Sequence, residues 1–300
     1  MFYVAHHACY AHDLPEGHRF PMEKYDLLPR QLMHEGTLAA SNFFAPGPLT
    51  EEAILTTHDN IYWQKLKEQN LTRAEERKTG FPLSERLVQR ERVIMQGTVD
   101  CALFALEHGV SMNIAGGTHH SFTNRGEGFC LLNDIALASN HLLNEQLAQK
   151  ILIVDLDVHQ GNGTAEIFSG NEQVFTFSMH GEKNYPMHKE KSDLDIGVPD
   201  GIDDQHYLAL LDGHLKDAVD RVAPDFIFYQ CGVDVLSTDK LGRLGLSMQG
   251  CKKRDEMVLG ICHSNQIPVT AAMGGGYSED IRYIIEAHAN TFRIAQALYF

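Results

Sequence analysis

Five segments place chemistry-bearing side chains directly after apolar runs. They are 116–121 (GGTHHS), 155–163 (DLDVHQGNG), 178–180 (SMH), 232–234 (GVD) and 274–277 (GGGY). Together they supply carboxylates, imidazoles, a phenol and flexible glycines. These are the metal ligands and proton-transfer groups that a metal-assisted hydrolase needs. The sequence therefore predicts a hydrolytic site assembled from several separate loops.

A candidate metal site is indicated by the spacing of Asp157 and His159, which stand two residues apart. In an extended segment, residues i and i+2 point to the same side, so both side chains can reach one ion. Asp234, after another apolar run, would complete an Asp-His-Asp set. Three protein ligands with one open position are typical of catalytic zinc, although iron accepts the same donors. Alone, Asp157 also fits a helix N-cap and His159 a loop histidine, but the set of three favours a metal.

Candidate proton-transfer groups are the adjacent His119 and His120. Imidazoles titrate near neutral pH, so each can take a proton from water and return one to a leaving amine. Tyr277 follows three glycines, which allow close backbone approach to a substrate, and its phenol can donate a hydrogen bond to an oxyanion. A turn and a packed aromatic would explain these residues separately. Metal-assisted amide hydrolysis uses all of them together.

The elements that must position these groups alternate along the whole chain. Apolar runs predict strands at residues 2–5, 112–115, 151–154, 174–178, 226–231 and 267–273. Longer periodic segments predict helices at residues 22–36, 50–68, 84–108, 134–149, 203–222, 247–266 and 279–298. This alternation predicts a parallel sheet with helices on both faces, and such sheets bind ligands beyond the carboxyl ends of their strands. No change in composition marks a second domain, so we predict one domain over residues 1–300.

Composition excludes several classes of protein. The 300 residues are 43% hydrophobic and 22% charged, as in a globular enzyme. Lys and Arg total 25 against 40 Asp and Glu, a net charge of −15, which argues against direct nucleic-acid binding and is compatible with a cationic ligand or a lysine-bearing peptide. We expect no membrane association, because neither a membrane span of about 20 apolar residues nor a signal peptide is apparent.

Cysteine and histidine usage bears on location and metals. The six cysteines form no C-x-x-C pair, so we expect reduced thiols and a cytoplasmic protein, with a nuclear location open for a eukaryotic one. Four of the 17 histidines lie near the N-terminus: His6, His7, His12 and His18. We expect these four to be loop or surface residues rather than a second metal site. The mixed-charge run at 73–78 predicts a solvated surface.

The motifs resemble the zinc-dependent histone deacetylase family, with its prokaryotic acetylpolyamine amidohydrolases and acetoin-utilisation proteins. The matching segments occur in the family's order: 116–120 (GGTHH), 128–134 (GFCLLND), 155–163 (DLDVHQGNG), 178–180 (SMH), 232–234 (GVD) and 275–277 (GGY). Segment 18–22 (HRFPM) looks closest to the branch that contains the small class IV deacetylases. The resemblance implies an arginase-like α/β fold, a single three-layer domain with a central parallel sheet flanked by helices.

The resemblance also implies ligand sets. One catalytic zinc would bind Asp157, His159 and Asp234, with iron as an alternative metal in the cell. A monovalent cation, usually potassium, would lie near Asp155, Asp157, His159, Ser178 and Met179, held largely by backbone carbonyls. The tunnel for the acyl-lysine stem would be lined by Gly128, Phe129, Tyr185 and Gly275.

Catalytic roles follow from the same resemblance. His120 would be the general base and acid and His119 would act electrostatically, a division of labour that the sequence leaves open. Asp155 would orient His119. Asn162 stands where many members have an aspartate that orients the second histidine, and an amide adds no negative charge. Tyr277 would polarise the scissile carbonyl.

Three functions are compatible with these features. The leading hypothesis is a zinc-dependent amidohydrolase that removes acetyl or longer acyl groups from ε-N-acyl-lysine in proteins or peptides. A second is a deacetylase of acetylpolyamines or other small molecules, which the acidic charge would suit; such members of the family often carry an insertion for which 300 residues leave no room. A third is a non-catalytic acyl-lysine binding module, which would need neither the tandem histidines nor Tyr277.

Overall fold

The computed structural model describes residues 1–300 and contains eight strands and ten α-helices. The strands are β1 (Tyr3–Ala5), β2 (Phe43–Phe44), β3 (Val110–Asn113), β4 (Ile151–Asp155), β5 (Val174–Gly181), β6 (Leu194–Val198), β7 (Phe226–Gln230) and β8 (Val269–Ala272). The helices are α1 (Lys24–His34), α2 (Glu51–Ile54), α3 (Asn60–Lys67), α4 (Arg73–Thr79), α5 (Glu85–His108), α6 (Asp134–Asn144), α7 (Asn162–Ile167), α8 (Asp204–Val222), α9 (Met248–Ser264) and α10 (Ile281–Tyr299). Two short 3-10 helices span Ala8–Tyr10 and Ala40–Asn42.

All eight strands run parallel in one sheet, in the order β2-β1-β3-β8-β7-β4-β5-β6. Strands β3, β4, β7 and β8 are buried at every position, as expected where helices cover both faces. Helix α5 packs against β1, β3 and β8, and α6 packs against α5. Helices α1, α10, α9 and α8 pack in succession, and α8 contacts β4 and β5. The predicted α/β fold with a parallel sheet flanked by helices is confirmed.

The boundaries of the longest helix follow from its end residues. The hydroxyl of Ser84 accepts a hydrogen bond from the backbone N–H of Leu87, so the serine caps α5. Gly109 ends the helix with a φ of +85°, a conformation that favours glycine. Local sequence chemistry therefore fixes both ends of the element that covers one side of the sheet.

Some elements differ from the prediction. The single helix predicted over 50–68 is two helices, α2 and α3, because Asp59 caps α3 by accepting from the N–H of Ile61. Strands β2 and β6 and helices α4 and α7 were not predicted. Strand β2 has only two residues, and β6 is an edge strand that is mostly only partly buried. The charged run 73–78 lies in α4, which is largely exposed as expected.

Sheet order explains why distant segments meet. The chemistry-bearing segments follow β3, β8 and β7, begin at the last residue of β4, or lie in the second half of β5, and these five strands are consecutive neighbours in the sheet. Neighbouring strands lie about 4.8 Å apart, so the carboxyl ends of these five strands form one compact edge. The six cysteines form no disulfide, and five of them are buried. None of the helices combines the length and apolarity needed to cross a bilayer.

Candidate active site

The loop after β3 is held in place by Asp134, the first residue of α6. Its carboxylate accepts hydrogen bonds from the backbone N–H and the hydroxyl of Thr118, at 2.8 and 2.9 Å, and from the hydroxyl of Thr98 at 2.7 Å. A carboxylate at a helix N-terminus is also favourable to the helix dipole. The tandem histidines follow Thr118 directly, so this network sets their position.

The two histidines have different partners. Nδ1 of His119 donates to Oδ2 of Asp155 at 2.7 Å, and Nδ1 of His120 donates to the side-chain oxygen of Asn162 at 2.6 Å. Their ring centroids are 4.1 Å apart and both residues are buried. Because an oxygen acceptor fixes the proton on Nδ1, a neutral His120 keeps Nε2 as its proton-accepting nitrogen.

These surroundings separate the basicities of the two imidazoles. Burial, together with the charges of His119 and His159, holds the pKa of His120 well below its usual range. Burial also lowers the pKa of His119, but the charges of Asp155 and Asp157 outweigh it and raise that pKa to about 9. Neighbouring groups whose pKa values are pushed apart are suited to different roles. These directions favour a neutral imidazole at His120 and a protonated one at His119 in the metal-free protein.

The predicted metal ligands meet at the ends of β4 and β7. Nδ1 of His159 lies 3.0 Å from Oδ1 of Asp157 and 3.2 Å from Oδ2 of Asp234, and all three residues are buried. Their ligand atoms lie within 4.8 Å of one another. No other group of three or more histidine, cysteine or acidic residues in the chain is arranged this way.

The surroundings of these three residues fit a cation. Oδ2 of Asp234 is buried without a hydrogen bond, and burial together with the charge of Asp157 raises the pKa of Asp234. Gly275 donates its N–H to Oδ2 of Asp157 at 2.9 Å, and a Cβ at Gly275 would collide with Oδ2 of Asp234. Gly275 leaves room beside the two buried carboxylates of Asp157 and Asp234. Their negative charges need a compensating positive charge. A divalent metal would supply that charge.

Tyr277 lies on the loop after β8. Its backbone N–H donates to Oδ2 of Asp239 at 2.6 Å, which fixes the loop. Burial and the charges of Asp234 and Asp157 hold the pKa of the phenol well above its usual range. Tyr277 is therefore protonated at neutral pH and available as a hydrogen-bond donor.

A cleft of about 570 Å³ leads from the surface to His120, His159 and Tyr277. Three of the predicted tunnel residues line it, namely Gly128, Phe129 and Tyr185. The ring of Tyr185 stands edge-on to that of His120 at 4.9 Å. Gly275, the fourth, lines the inner pocket beside the metal ligands instead of the outer cleft. Gly275 therefore lies beside the candidate metal ligands.

The sequence did not predict the position of two residues that lie near the site, Phe20 and Lys24. Phe20 packs against Phe129 at 5.2 Å and against Tyr277 at 6.1 Å between ring centroids. Lys24 is buried and donates to the carbonyl of Gly274 at 2.9 Å, and burial lowers the pKa of Lys24 to about 8. Both come from the N-terminal segment, where no spacing signal links them to the distant loops. Segment 18–22 had indicated only a branch of the family.

The predicted monovalent cation site remains a prediction. Asp155, the last residue of β4, is the register partner of Ser178 within β5, and Met179 follows Ser178 on that strand. These residues are buried, as are Asp157 and His159. Their proximity is compatible with a shared cation.

The four N-terminal histidines lie in loops, as expected, and the structure gives side-chain hydrogen-bond partners to His7 and His18. Nδ1 of His7 accepts from the N–H of Cys9 at 3.0 Å. Nδ1 of His18 accepts from the N–H of Phe20 at 3.2 Å, while its Nε2 lies 2.8 Å from the carbonyl oxygen of Gly80. They belong to no cluster of metal ligands.

The chain is similar in sequence and in fold to known proteins. Residues 18–292 match the Histone deacetylase domain family. An uncharacterized protein of Picosynechococcus sp. is 42% identical over 298 residues, which cover 99% of each chain. Histone deacetylase 2 of Arabidopsis thaliana is 28% identical over 277 residues, covering 89% of this chain and 72% of the plant protein. The crystal structure of an HDAC homolog complexed with SAHA shares the fold, with a TM-score of 0.84, 23% identity, and coverage of 99% of this chain and 84% of that one. Because the family match spans every segment that builds the site, the chain belongs to the histone deacetylase family.

Proposed function

We propose that the protein is a zinc-dependent amidohydrolase that removes acetyl or longer acyl groups from ε-N-acyl-lysine in proteins or peptides. One observation carries the proposal: Asp157, His159 and Asp234 form a buried ligand set at the inner end of a cleft that also exposes His120. A buried cation-binding set next to a neutral imidazole is the arrangement that metal-assisted hydrolysis requires. Family membership supports the same reaction class.

The chain's own residues would divide the work as follows. Asp157, His159 and Asp234 would hold a divalent ion, which polarises the amide carbonyl and makes water more acidic. His120 would take the proton of the attacking water at Nε2, while Asn162 holds its Nδ1. The same imidazole would then return the proton to the leaving amine nitrogen. The amide C–N bond breaks, a C–O bond forms, and the products are a carboxylate and a lysine amine.

Two further groups would stabilise the negative charge that develops on the carbonyl oxygen. The phenol of Tyr277 would donate a hydrogen bond to that oxygen, since its raised pKa keeps the proton in place. His119, kept cationic by Asp155, would contribute positive charge without moving a proton. Fixed charges of this kind act strongly in a buried site, because water does not screen them.

The cleft fits a neutral, extended substrate stem. Its walls near the site are the rings of Phe129 and Tyr185, which suit methylene groups. An acylated amine carries no charge, so burying it beside His120 avoids the cost of desolvating an ammonium group. The walls and the neutral amide together favour acyl-lysine.

A direct test compares zinc-loaded wild type with Tyr277→Phe and with Tyr283→Phe, whose tyrosine is exposed on α10. With an acetyl-lysine peptide, we expect wild type to release acetate and free lysine peptide in equal amounts. Loss of the phenol at 277 should lower kcat by about 100- to 1000-fold with little change in KM, as for other oxyanion donors. Tyr283→Phe should match wild type. A zinc-loaded wild type that is inert on acetyl- and longer acyl-lysine peptides would overturn the proposal.

A further inference from the structure

The outer mouth of the cleft is lined by cations, although the chain as a whole carries a net charge of −15. The basic residues that line it are Arg19, Lys78, Lys183 and Arg243. The one acidic residue along the outer part of the same cleft is Glu127. All four basic residues are exposed, whereas the carboxylate side chain of Glu127 is only 14% exposed.

Carboxylates compensate only two of these cations: Nη1 of Arg243 lies 3.6 Å from Oδ2 of Asp200, and Lys78 lies near Glu127. Oε1 of Glu127 lies 3.0 Å from Nε of Arg125 and 3.9 Å from Nζ of Lys78, and its Oε2 accepts from the hydroxyl of Tyr185 at 2.7 Å. Glu127 is thus already shared among three partners. Arg19 and Lys183 have no carboxylate within 4.0 Å and face solvent with uncompensated charge.

These charges are tied to the walls of the cleft. The carbonyl of Lys78 accepts from the N–H of Gly128 at 2.9 Å, and the carbonyl of Thr79 accepts from the N–H of Phe129 at 2.7 Å. The guanidinium of Arg19 lies 5.3 Å from the centroid of the Phe129 ring. The cations therefore surround the point where a substrate stem enters, rather than lying on a remote surface.

We infer that this cationic mouth, comprising Arg19, Lys78, Lys183 and Arg243, selects acyl-lysines that lie in acidic peptide segments. The inference rests on the proposed function and names its substrate class. Charges interact mainly within the Debye length of about 8 Å at physiological salt, so a bound peptide meets the mouth rather than the distant acidic surface. Acidic residues flanking the acyl-lysine would be attracted there, and polycations such as acetylpolyamines would be repelled.

The test uses three acetyl-lysine peptides of equal length, with glutamate, glutamine or lysine at the flanking positions. We expect kcat/KM and binding affinity to fall in the order glutamate, glutamine, lysine. The two extremes should differ by about tenfold at low salt, the combined effect of a few exposed charge pairs, and the difference should shrink in 0.5 M salt. Binding is measured in parallel by fluorescence anisotropy of the same peptides on the zinc-loaded enzyme.

A matched pair of variants locates the effect. Arg19→Gln with Lys183→Gln removes the two uncompensated cations of the mouth, and we expect it to reduce the ratio between the glutamate and lysine peptides to about threefold or less. Lys150→Gln with Arg221→Gln removes two exposed cations near the amino ends of β4 and β7, at the opposite edge of the sheet. That control should keep the wild-type ratio.

The outcomes separate this inference from the proposed function. If the enzyme turns over the glutamine peptide but shows no preference among the three flanking charges, the inferred role of the cationic mouth is wrong and the proposed hydrolase activity stands. Charge-ordered binding without turnover of any peptide would overturn the hydrolase and support the mouth. A preference for the lysine peptide, or for acetylated polyamines, would also overturn the inference.

Discussion

Asn162 is the hydrogen-bond partner of the proton-transfer histidine, His120. Its side-chain oxygen accepts from Nδ1 of His120 and fixes the tautomer, but it adds no negative charge. Asp155 does both for His119, and the pKa values of the two imidazoles diverge accordingly. Burial and the charges of His119 and His159 hold the pKa of His120 down, and the amide adds no negative charge that would oppose them.

Replacing this amide by a carboxylate should shift the pH dependence of the reaction. We expect Asn162→Asp to raise the pKa of His120, because a negative charge favours the imidazolium. The ascending limb of kcat/KM against pH should move to higher pH, since the base must be deprotonated to act. Asn60→Asp, at an exposed position in α3, is the matched control and should leave the limb in place. If the ascending limb of kcat/KM against pH does not move in Asn162→Asp, residue 162 does not influence the basicity of His120.

At the scale of elements, the parallel sheet gathers residues that the sequence scatters. Asp157 and His159 follow β4, Asp234 follows β7 and Tyr277 follows β8, and these strands are neighbours. The sequence predicted this grouping because a largely apolar run precedes each of these polar segments. The i, i+2 spacing of Asp157 and His159 also predicted that one ion could reach both.

Other parts of the molecule could not be predicted from local sequence patterns. Strands β2 and β6 lie at the sheet edges, where two residues or a half-exposed alternating run do not stand out. Phe20 and Lys24 reach the site through tertiary packing, and packing between distant segments has no local periodicity. The cationic mouth also depends on which loops surround the cleft, so net charge alone pointed towards cationic ligands.

The loop after β8 leaves room for the ligand set only if residue 275 has no side chain. We expect Gly275→Ala to lower zinc affinity at least tenfold, because its Cβ would displace the carboxylates of Asp157 and Asp234. Zinc titration by calorimetry measures this. Gly213→Ala is the control: that glycine lies in α8 with open space around it, so alanine should raise stability by up to about 1 kcal/mol and leave zinc binding unchanged. Equal zinc affinity in both variants would contradict the proposal that the absence of a side chain at residue 275 leaves room for the ligand set.

His58 connects two loops beneath the site. Its Nδ1 lies 3.0 Å from the carbonyl oxygen of Phe122, and its Nε2 accepts from the N–H of Asn133, the N-cap of α6. Burial lowers the pKa of His58 to about 4. The folded protein therefore holds this imidazole neutral, with both nitrogens in use.

This buried imidazole makes stability depend on pH. The unfolded chain protonates His58 near pH 6.5 and the folded chain only near 4, so its contribution is complete above pH 6.5 and is lost as the pH falls towards 4. Between pH 7 and 5 the free energy of unfolding should drop by about 2 kcal/mol from this residue. Urea unfolding should show a smaller drop in His58→Gln than in the control His34→Gln, which changes an exposed histidine. Identical slopes would contradict the assignment.

At the scale of the whole molecule, charge is distributed unevenly. The surface carries a net charge of −15, yet the mouth of the cleft is basic and the ligand set within is acidic. Net charge describes solubility and long-range attraction, whereas recognition depends on the charges that a bound substrate meets. The basic residues at the cleft mouth therefore favour a substrate peptide with acidic flanking residues. This local charge is more direct evidence about the substrate than the negative net charge, which alone would favour a polycation.

Metal removal should weaken the whole fold. A bound ion stabilises only the folded chain, by about 2.7 kcal/mol when zinc is at 100 times its Kd, or roughly 5 °C in Tm. We expect a chelator to lower Tm by about that amount and added zinc to restore it. In Asp234→Asn, which loses one carboxylate of the ligand set, zinc should change Tm much less. An equal zinc response in wild type and Asp234→Asn would contradict the assigned ligands.

The proposed zinc site is tested most directly by anomalous scattering at the zinc edge from crystals of the zinc-loaded protein. We expect one strong peak per chain, within about 2.0–2.2 Å of Nδ1 of His159 and of a carboxylate oxygen from each of Asp157 and Asp234. A zinc-loaded crystal with no peak among these three residues, or with its peak elsewhere in the chain, would contradict the assigned zinc site.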